Sequence, residues 1–220
     1  MLPERIEKMK TMKTKKLVVC AMLIALGSVL SVIQPFALPF GGGITLASMM
    51  PVCLIGMIYG MKTGVLSALC FSVIQMFLGA STISAAFLPG EDQMILWKAI
   101  LMCLLDYTLA YTVLGLSGIF KNKIKNDGVA ILAGSAFVTF LRYVAHIASG
   151  YILWGSYAEW FFSQEGFYAF GGKILDTFSG NGLAFIYSVI YNGLYMIPEI
   201  IITAAVTPIV YKALKNSKAF

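Results

Sequence analysis

Apolar residues in this chain run in long blocks, without the polar interruption every third or fourth position that marks a helix half-exposed to water. Six blocks can be drawn, at about 16–35, 44–60, 63–79, 95–119, 128–150 and 183–211. Each approaches the ~20 residues that cross a bilayer as helix. No alternating in–out pattern of barrel strands is present, and lipid offers a backbone no hydrogen-bond partner, so all six are predicted helical. Only Gly60 to Gly64 joins the second block to the third, which reads as a tight turn. The fifth and sixth are separated by a long stretch, about 151–182, that carries Trp160, Phe161, Phe162, Phe167, Tyr168 and Phe170. Such a segment suits an interfacial helix or a lid over a pocket. A basic arm over 1–15 and a short tail over 214–220 flank a single membrane domain at 16–213.

Composition sharpens this picture. The chain is 59% hydrophobic and 12% charged, where soluble domains are about half apolar and a quarter charged. The basic start runs into an apolar block too long for a signal-peptide core and without a small-residue cleavage site, so it is predicted to be a retained first span.

The few charges set an orientation. Arg5, Lys8, Lys10, Lys13, Lys15 and Lys16 precede the first span and Lys62 lies in the second turn. Lys121, Lys123 and Lys125 follow the fourth span, and Lys212, Lys215 and Lys218 end the chain. All fall on one side of a six-span drawing, whereas Glu91, Asp92, Glu159, Glu165 and Asp176 face the other with Lys173. The excess of lysine and arginine marks the cytoplasmic side, so both termini are predicted to be cytoplasmic. The net charge of +6 is then membrane orientation, not a nucleic-acid footprint. A prokaryotic plasma membrane fits a multi-pass chain of this kind.

Chemistry is sparse. Cys20, Cys53, Cys70 and Cys103 lie singly in apolar runs, with no CxxC and no Cys/His cluster, so no metal site is predicted. HExxH, GxSxG and Walker motifs are absent, and no catalytic residue or cofactor is assigned. No strand is predicted before Gly41–Gly43, so it is not read as a phosphate loop; it is expected to let the first outer loop fold tightly over the bundle.

Polar side chains within the spans are costly unless they serve a purpose. They are Lys98, Asp106, Arg142, His146, Asn192 and Glu199. His146, Gly150 and Trp154 are spaced four apart and share one broad helix face. Tyr187 and Asn192 are five apart, about 140° around a helix, so they reach one cavity only if the helix begins near Tyr187 or the site straddles it. An acid among Tyr, Trp and His suits a flat cationic or amine-bearing ligand. Each residue also has a plainer reading. His146 could make an interhelical hydrogen bond, Asp106 could pair with Lys98 or Arg142, Trp154 could anchor at the headgroups, and Glu199 suits a structural or gating role better than ligand contact.

Taken together, the motifs resemble the thiamine-specific S component, the substrate-binding subunit, of energy-coupling factor vitamin transporters. Along the chain these are Ala21-x-x-x-Ala25, Gly41-Gly-Gly-Ile-Thr-Leu-Ala-Ser-Met-Met-Pro51 and Leu104-Leu-Asp106-Tyr107-Thr-Leu-Ala-Tyr111. Then follow Arg142-Tyr-x-x-His146-x-x-Ser-Gly150, Trp154, and Tyr187-Ser-x-Ile-Tyr-Asn192-Gly-x-Tyr-Met-x-Pro198-Glu199. The resemblance implies an S-component-like all-α bundle that captures thiamine and hydrolyses nothing. It implies that His146 and Trp154 pack on the thiamine rings and that Asp106 holds the aminopyrimidine, with Tyr107, Tyr187 and Asn192 completing the contacts. It further implies that Ala21 and Ala25 pack against a coupling transmembrane subunit served by two separate ATP-binding subunits. The chain departs from the pattern in the length of the tract from Trp154 to Tyr187. It also lacks a tryptophan in the first outer loop, where Phe36 or Phe40 could substitute. Two other readings remain, an S component for another vitamin or a thiamine precursor, and a stand-alone proton-coupled transporter using Asp106 and Glu199.

Overall fold

The computed structural model describes residues 2–38, 41–90 and 93–217. Phe40, Glu91, Asp92 and Lys218, and the side chains of Arg5, Lys8 and Lys10, lie outside the described residues. The fold is all-α apart from one small hairpin. Helix α1 (Leu2–Val32) runs through the basic arm into the first span without a break. A two-residue antiparallel pair follows, β1 (Phe36–Ala37) with β2 (Gly43–Ile44), and Phe36 stands opposite Ile44. Next come α2 (Met50–Tyr59), α3 (Met61–Leu78) and α4 (Ala80–Phe87).

The fourth span is composite: α5 (Leu96–Met102), a π-helical segment (Cys103–Leu109), α6 (Ala110–Thr112) and a 3₁₀ segment (Val113–Phe120). Helix α7 (Asp127–Leu153) is opened by Asn126, whose side chain accepts from the Val129 amide, the usual service of an asparagine to an orphan amide at a helix start. The chain ends in α8 (Ala158–Phe162), α9 (Tyr168–Thr177) and the 37-residue α10 (Gly180–Asn216).

Five helical stretches among the described residues are long and apolar enough to cross a membrane: Thr11–Val32, Met61–Leu78, Leu96–Phe120, Asp127–Leu153 and Gly180–Asn216. The second predicted span differs. Residues 44–49 are not helical, and α2 has ten residues, about 15 Å of helix against a bilayer core of ~30 Å. The preceding irregular segment reaches down beside α1, since the Ser48 carbonyl sits against Gly27. Irregular backbone of this sort survives in a membrane protein where it is buried in protein or lines a cavity. Here Met50 to Met57 are all buried, and the Thr45 amide is satisfied by Glu199 of α10.

Glycines set the spacing at the lower end of the bundle. A single residue, Gly60 at φ 85°, joins α2 to α3, a left-handed conformation that side chains resist. Methyl groups at Gly64 or Gly115 would collide with each other's backbones, so α3 and the 3₁₀ segment meet main chain to main chain. Lys121 donates to the Met57 carbonyl at 2.7 Å and closes the end of α2. Elsewhere α7 is sewn to α10 by the Tyr143 hydroxyl on the Val189 carbonyl (2.7 Å) and the Ser188 hydroxyl on the Ile147 carbonyl (2.7 Å).

The stretch at 151–182 is largely helical. Its Phe161, Phe162 and Ile174 pack with Leu183, Tyr187 and Tyr191 of α10, and Trp154 and Leu38 adjoin this cluster. The apolar faces of α8 and α9 therefore close over the outer part of α10, while Trp160 and Phe170 remain exposed.

Candidate functional site

A cavity of about 520 Å³ opens between the first loop, α3, the composite fourth span, α7 and α10. Asp106, Tyr107, His146, Trp154, Tyr187 and Asn192 all line it.

The π-helical segment explains how one span supplies so much of the wall. Its wider turn bonds i to i+5, visible in the Ala110 amide donating to the Leu105 carbonyl. Residues five apart are brought towards one side, so Met102 and Tyr107, and likewise Asp106 and Tyr111, reach the cavity in pairs. A regular helix would turn these partners apart.

Asp106 is the hub. Its Oδ2 accepts the Ser149 hydroxyl at 2.6 Å and its Oδ1 meets His146 Nδ1 at 2.9 Å. Arg142 donates Nε–H to His146 Nε2 at 3.2 Å. An Nε2 that accepts cannot carry the proton of a neutral imidazole, so the proton sits on Nδ1 and is donated to Asp106. Both ring nitrogens of His146 are then used, and the histidine offers a ligand only its face and edge. The Arg142 guanidinium stacks 4.1 Å above the Tyr111 ring. Asp106 therefore pairs with His146 and Ser149, not with Lys98, and Arg142 reaches it only through the imidazole. Its side chain keeps 21% of its surface accessible, and each oxygen retains a lone pair for a ligand.

Asn192 is similarly engaged. Its amide donates to the carbonyls of His146 (3.2 Å) and Ser188 (2.9 Å), and its Oδ1 accepts the Tyr195 hydroxyl at 2.8 Å. It clamps α7 to α10 and leaves one Oδ1 lone pair for the cavity. Helix α10 begins at Gly180, seven residues before Tyr187. The condition that the helix start near Tyr187 is thus not met; instead the cavity straddles the helix, and Tyr187, Tyr191, Asn192, Tyr195 and Glu199 all border it.

His146, Gly150 and Trp154 line the cavity from one face of α7, as their spacing predicts. Gly150 is needed for close approach, because a methyl there would meet Ser188 and Asn192. In the first loop Ala37, Leu38 and Gly41 to Gly43 form the wall, while Phe36 is exposed and does not line it. Ala21 and Ala25 lie away from the cavity, exposed on α1 and one turn apart. Tyr111, Ser149, Tyr191 and Tyr195 were not singled out from sequence. The four-residue ladder Tyr187, Tyr191, Tyr195, Glu199 was the available signal for two of them.

Residues 17–164 match the family model described as thiamine transporter protein (Thia_YuaJ). The chain belongs to the thiamine transporter protein family. A curated relative, thiamine transporter ThiT of Bacillus subtilis (strain 168), is 26% identical over 93% of this chain and 96% of its own length. A solved structure of ThiT from Listeria monocytogenes superimposes with a TM-score of 0.64 at 20% identity, covering 93% of this chain and 97% of that one. At that identity the likeness speaks for the fold, an all-α membrane bundle. The family is one of transport proteins and not of enzymes.

Proposed function

We propose that this protein is the membrane-embedded thiamine-binding subunit of an energy-coupling factor importer. It captures thiamine on the outer side of the cell membrane and depends on separate coupling and ATP-binding chains for uptake. The observation that carries the reading is the meeting of Asp106, His146 and Trp154 in one cavity of a thiamine transporter family member. Lone pairs on Asp106 accept from the exocyclic amine of an aminopyrimidine, and the face of Trp154 attracts a thiazolium through its quadrupole. The His146 ring, with both nitrogens bonded elsewhere, acts as a packing surface. Tyr107, Tyr187 and the remaining Asn192 lone pair complete the contacts. Ala21 and Ala25, small and one turn apart on α1, suit close packing of a coupling subunit's helix.

The test is a titration of the purified protein with thiamine, its pyrimidine half and its phosphates, read by intrinsic tryptophan fluorescence. Thiamine is expected to quench, and no quenching at micromolar thiamine refutes the reading. Uptake assayed with and without a coupling partner addresses the energy source. Uptake that persists alone and collapses with the proton gradient would instead favour a stand-alone proton-coupled carrier.

A further inference from the structure

At the deep end of the cavity, below Asn192 and Tyr195 on α10, lies Glu199. It is 2% exposed, and its two oxygens have different surroundings. Oε1 accepts from the amide and the hydroxyl of Thr45, which holds the irregular segment before α2 against α10. Oε2 has no hydrogen-bond partner among the described residues.

The charges lining the cavity are few. Among the described residues they are Asp106, Arg142 and Glu199, one cation against two anions, since His146 is neutral as bonded. Arg142 touches neither anion directly, and hydrogen bonding tells the two apart. Asp106 is joined to Arg142 through the imidazole, which takes a hydrogen bond from Nε–H on one side and gives one on the other. It also receives the Ser149 hydroxyl. Glu199 takes hydrogen bonds only from the neutral donors of Thr45, and the Arg142 charge acts on it from a distance, with no ion pair to it among the described residues. A buried carboxylate with an empty oxygen is costly unless a compensating charge arrives.

We infer that Glu199 is the counter-ion of the cargo: it sets a preference for monocationic ligands over neutral ligands of the same shape. This goes beyond the structural, gating and proton-relay roles the sequence suggested for it, and it rests on the proposed thiamine reading. A bound cation would bring the cavity to neutrality, and the bonds of Asp106 to His146 and Ser149 need not break for it. The attraction acts through a water-poor space, so it needs no direct contact. At an effective dielectric near 20 and a separation of about 6–10 Å it corresponds to roughly ten- to hundredfold in affinity.

The variant Glu199→Gln tests this cleanly, because the amide keeps an oxygen for Thr45 and removes only the charge. Thiamine and its neutral isostere, with a thiophene in place of the thiazolium, are titrated against wild type and variant. The expected result is a roughly ten- to hundredfold loss for thiamine, with the isostere changed by less than about threefold. Equal losses for both ligands overturn the proposal, because they would make Glu199 only a latch for Thr45. An unchanged thiamine affinity also overturns it. Should the glutamine variant not fold, Glu199→Asp withdraws the carboxylate by one methylene. It must then narrow the gap between the two ligands, and an unchanged gap counts against the proposal. Wild type that binds neither ligand refutes the thiamine reading itself, whereas wild type that binds both equally refutes only the counter-ion.

Discussion

Replacing Asp106 by asparagine separates what this carboxylate does for the fold from what it does for a ligand. In the native protein its oxygens accept from His146 Nδ1–H at 2.9 Å and from the Ser149 hydroxyl at 2.6 Å. An asparagine can set its oxygen opposite His146 and its amide N–H opposite Ser149, whose hydroxyl rotates to accept. Two charge-assisted bonds worth about 1.5–3 kcal/mol each become neutral ones worth about 0.5–1.5 kcal/mol. Folding therefore loses about 2 kcal/mol, a fall of roughly 4–8 °C in Tm for a chain of this size. The ligand loses something more specific. The amine of an aminopyrimidine would face a neutral amide in place of a charged oxygen. Losing that bond costs about 1.5–3 kcal/mol, or roughly ten- to 150-fold in Kd. Tryptophan fluorescence titration of wild type and variant, run beside thermal unfolding, measures both quantities. A variant that still binds thiamine within about threefold of wild type would show that Asp106 belongs to the fold and not to the ligand. A variant that does not fold at all would refute the claim that an amide can remake the two bonds.

Three further outcomes follow from the same geometry. Trp154→Ala should lower thiamine affinity by about tenfold or more and abolish most of the fluorescence quenching, and should also lower Tm because the ring packs on the Phe161 and Tyr187 cluster; the titration above, run beside thermal unfolding, checks it. Gly115→Ala drives a methyl into the backbone of Gly64 and Val65, and overpacking of about 1–3 kcal/mol should lower Tm by roughly 2–12 °C without altering Kd of the folded fraction. Lys121→Met removes the donor to the Met57 carbonyl and should speed amide exchange at the end of α2, read by hydrogen–deuterium exchange, while thiamine binding is unchanged.

Long apolar blocks made most of the bundle legible from sequence, because a run of twenty apolar residues has few physical alternatives in lipid. The second block misled for a definite reason. Residues 44–49 are as apolar as a helix, but their backbone groups find partners elsewhere, above all the Thr45 amide on Glu199. Hydropathy records the burial of that segment and is blind to where its hydrogen bonds go. The stretch at 151–182 was legible as an interfacial helix or a lid, but that Phe161 and Phe162 pack on α10 is a tertiary fact. The cavity wall was partly legible. The spacing of His146, Gly150 and Trp154 on α7 carries over directly into shared lining, whereas the pairing of Asp106 with Tyr111 depends on the π-helical turn. No local pattern announces that turn.

A polar cavity can sit inside an apolar bundle because its walls bond one another before any cargo arrives. Arg142, His146, Asp106 and Ser149 form one connected chain, and Tyr195, Asn192 and the His146 carbonyl form another. Each link fixes a rotamer, so a ligand meets a preformed surface and little side-chain entropy remains to be lost on binding. The same saturation limits what the cavity can recognise. A histidine with both nitrogens engaged and an asparagine with one free lone pair cannot discriminate strongly by hydrogen bonding. Discrimination then falls to the Asp106 lone pairs, the aromatic faces and the net negative charge. A flat molecule with an exocyclic amine and one positive charge answers all three.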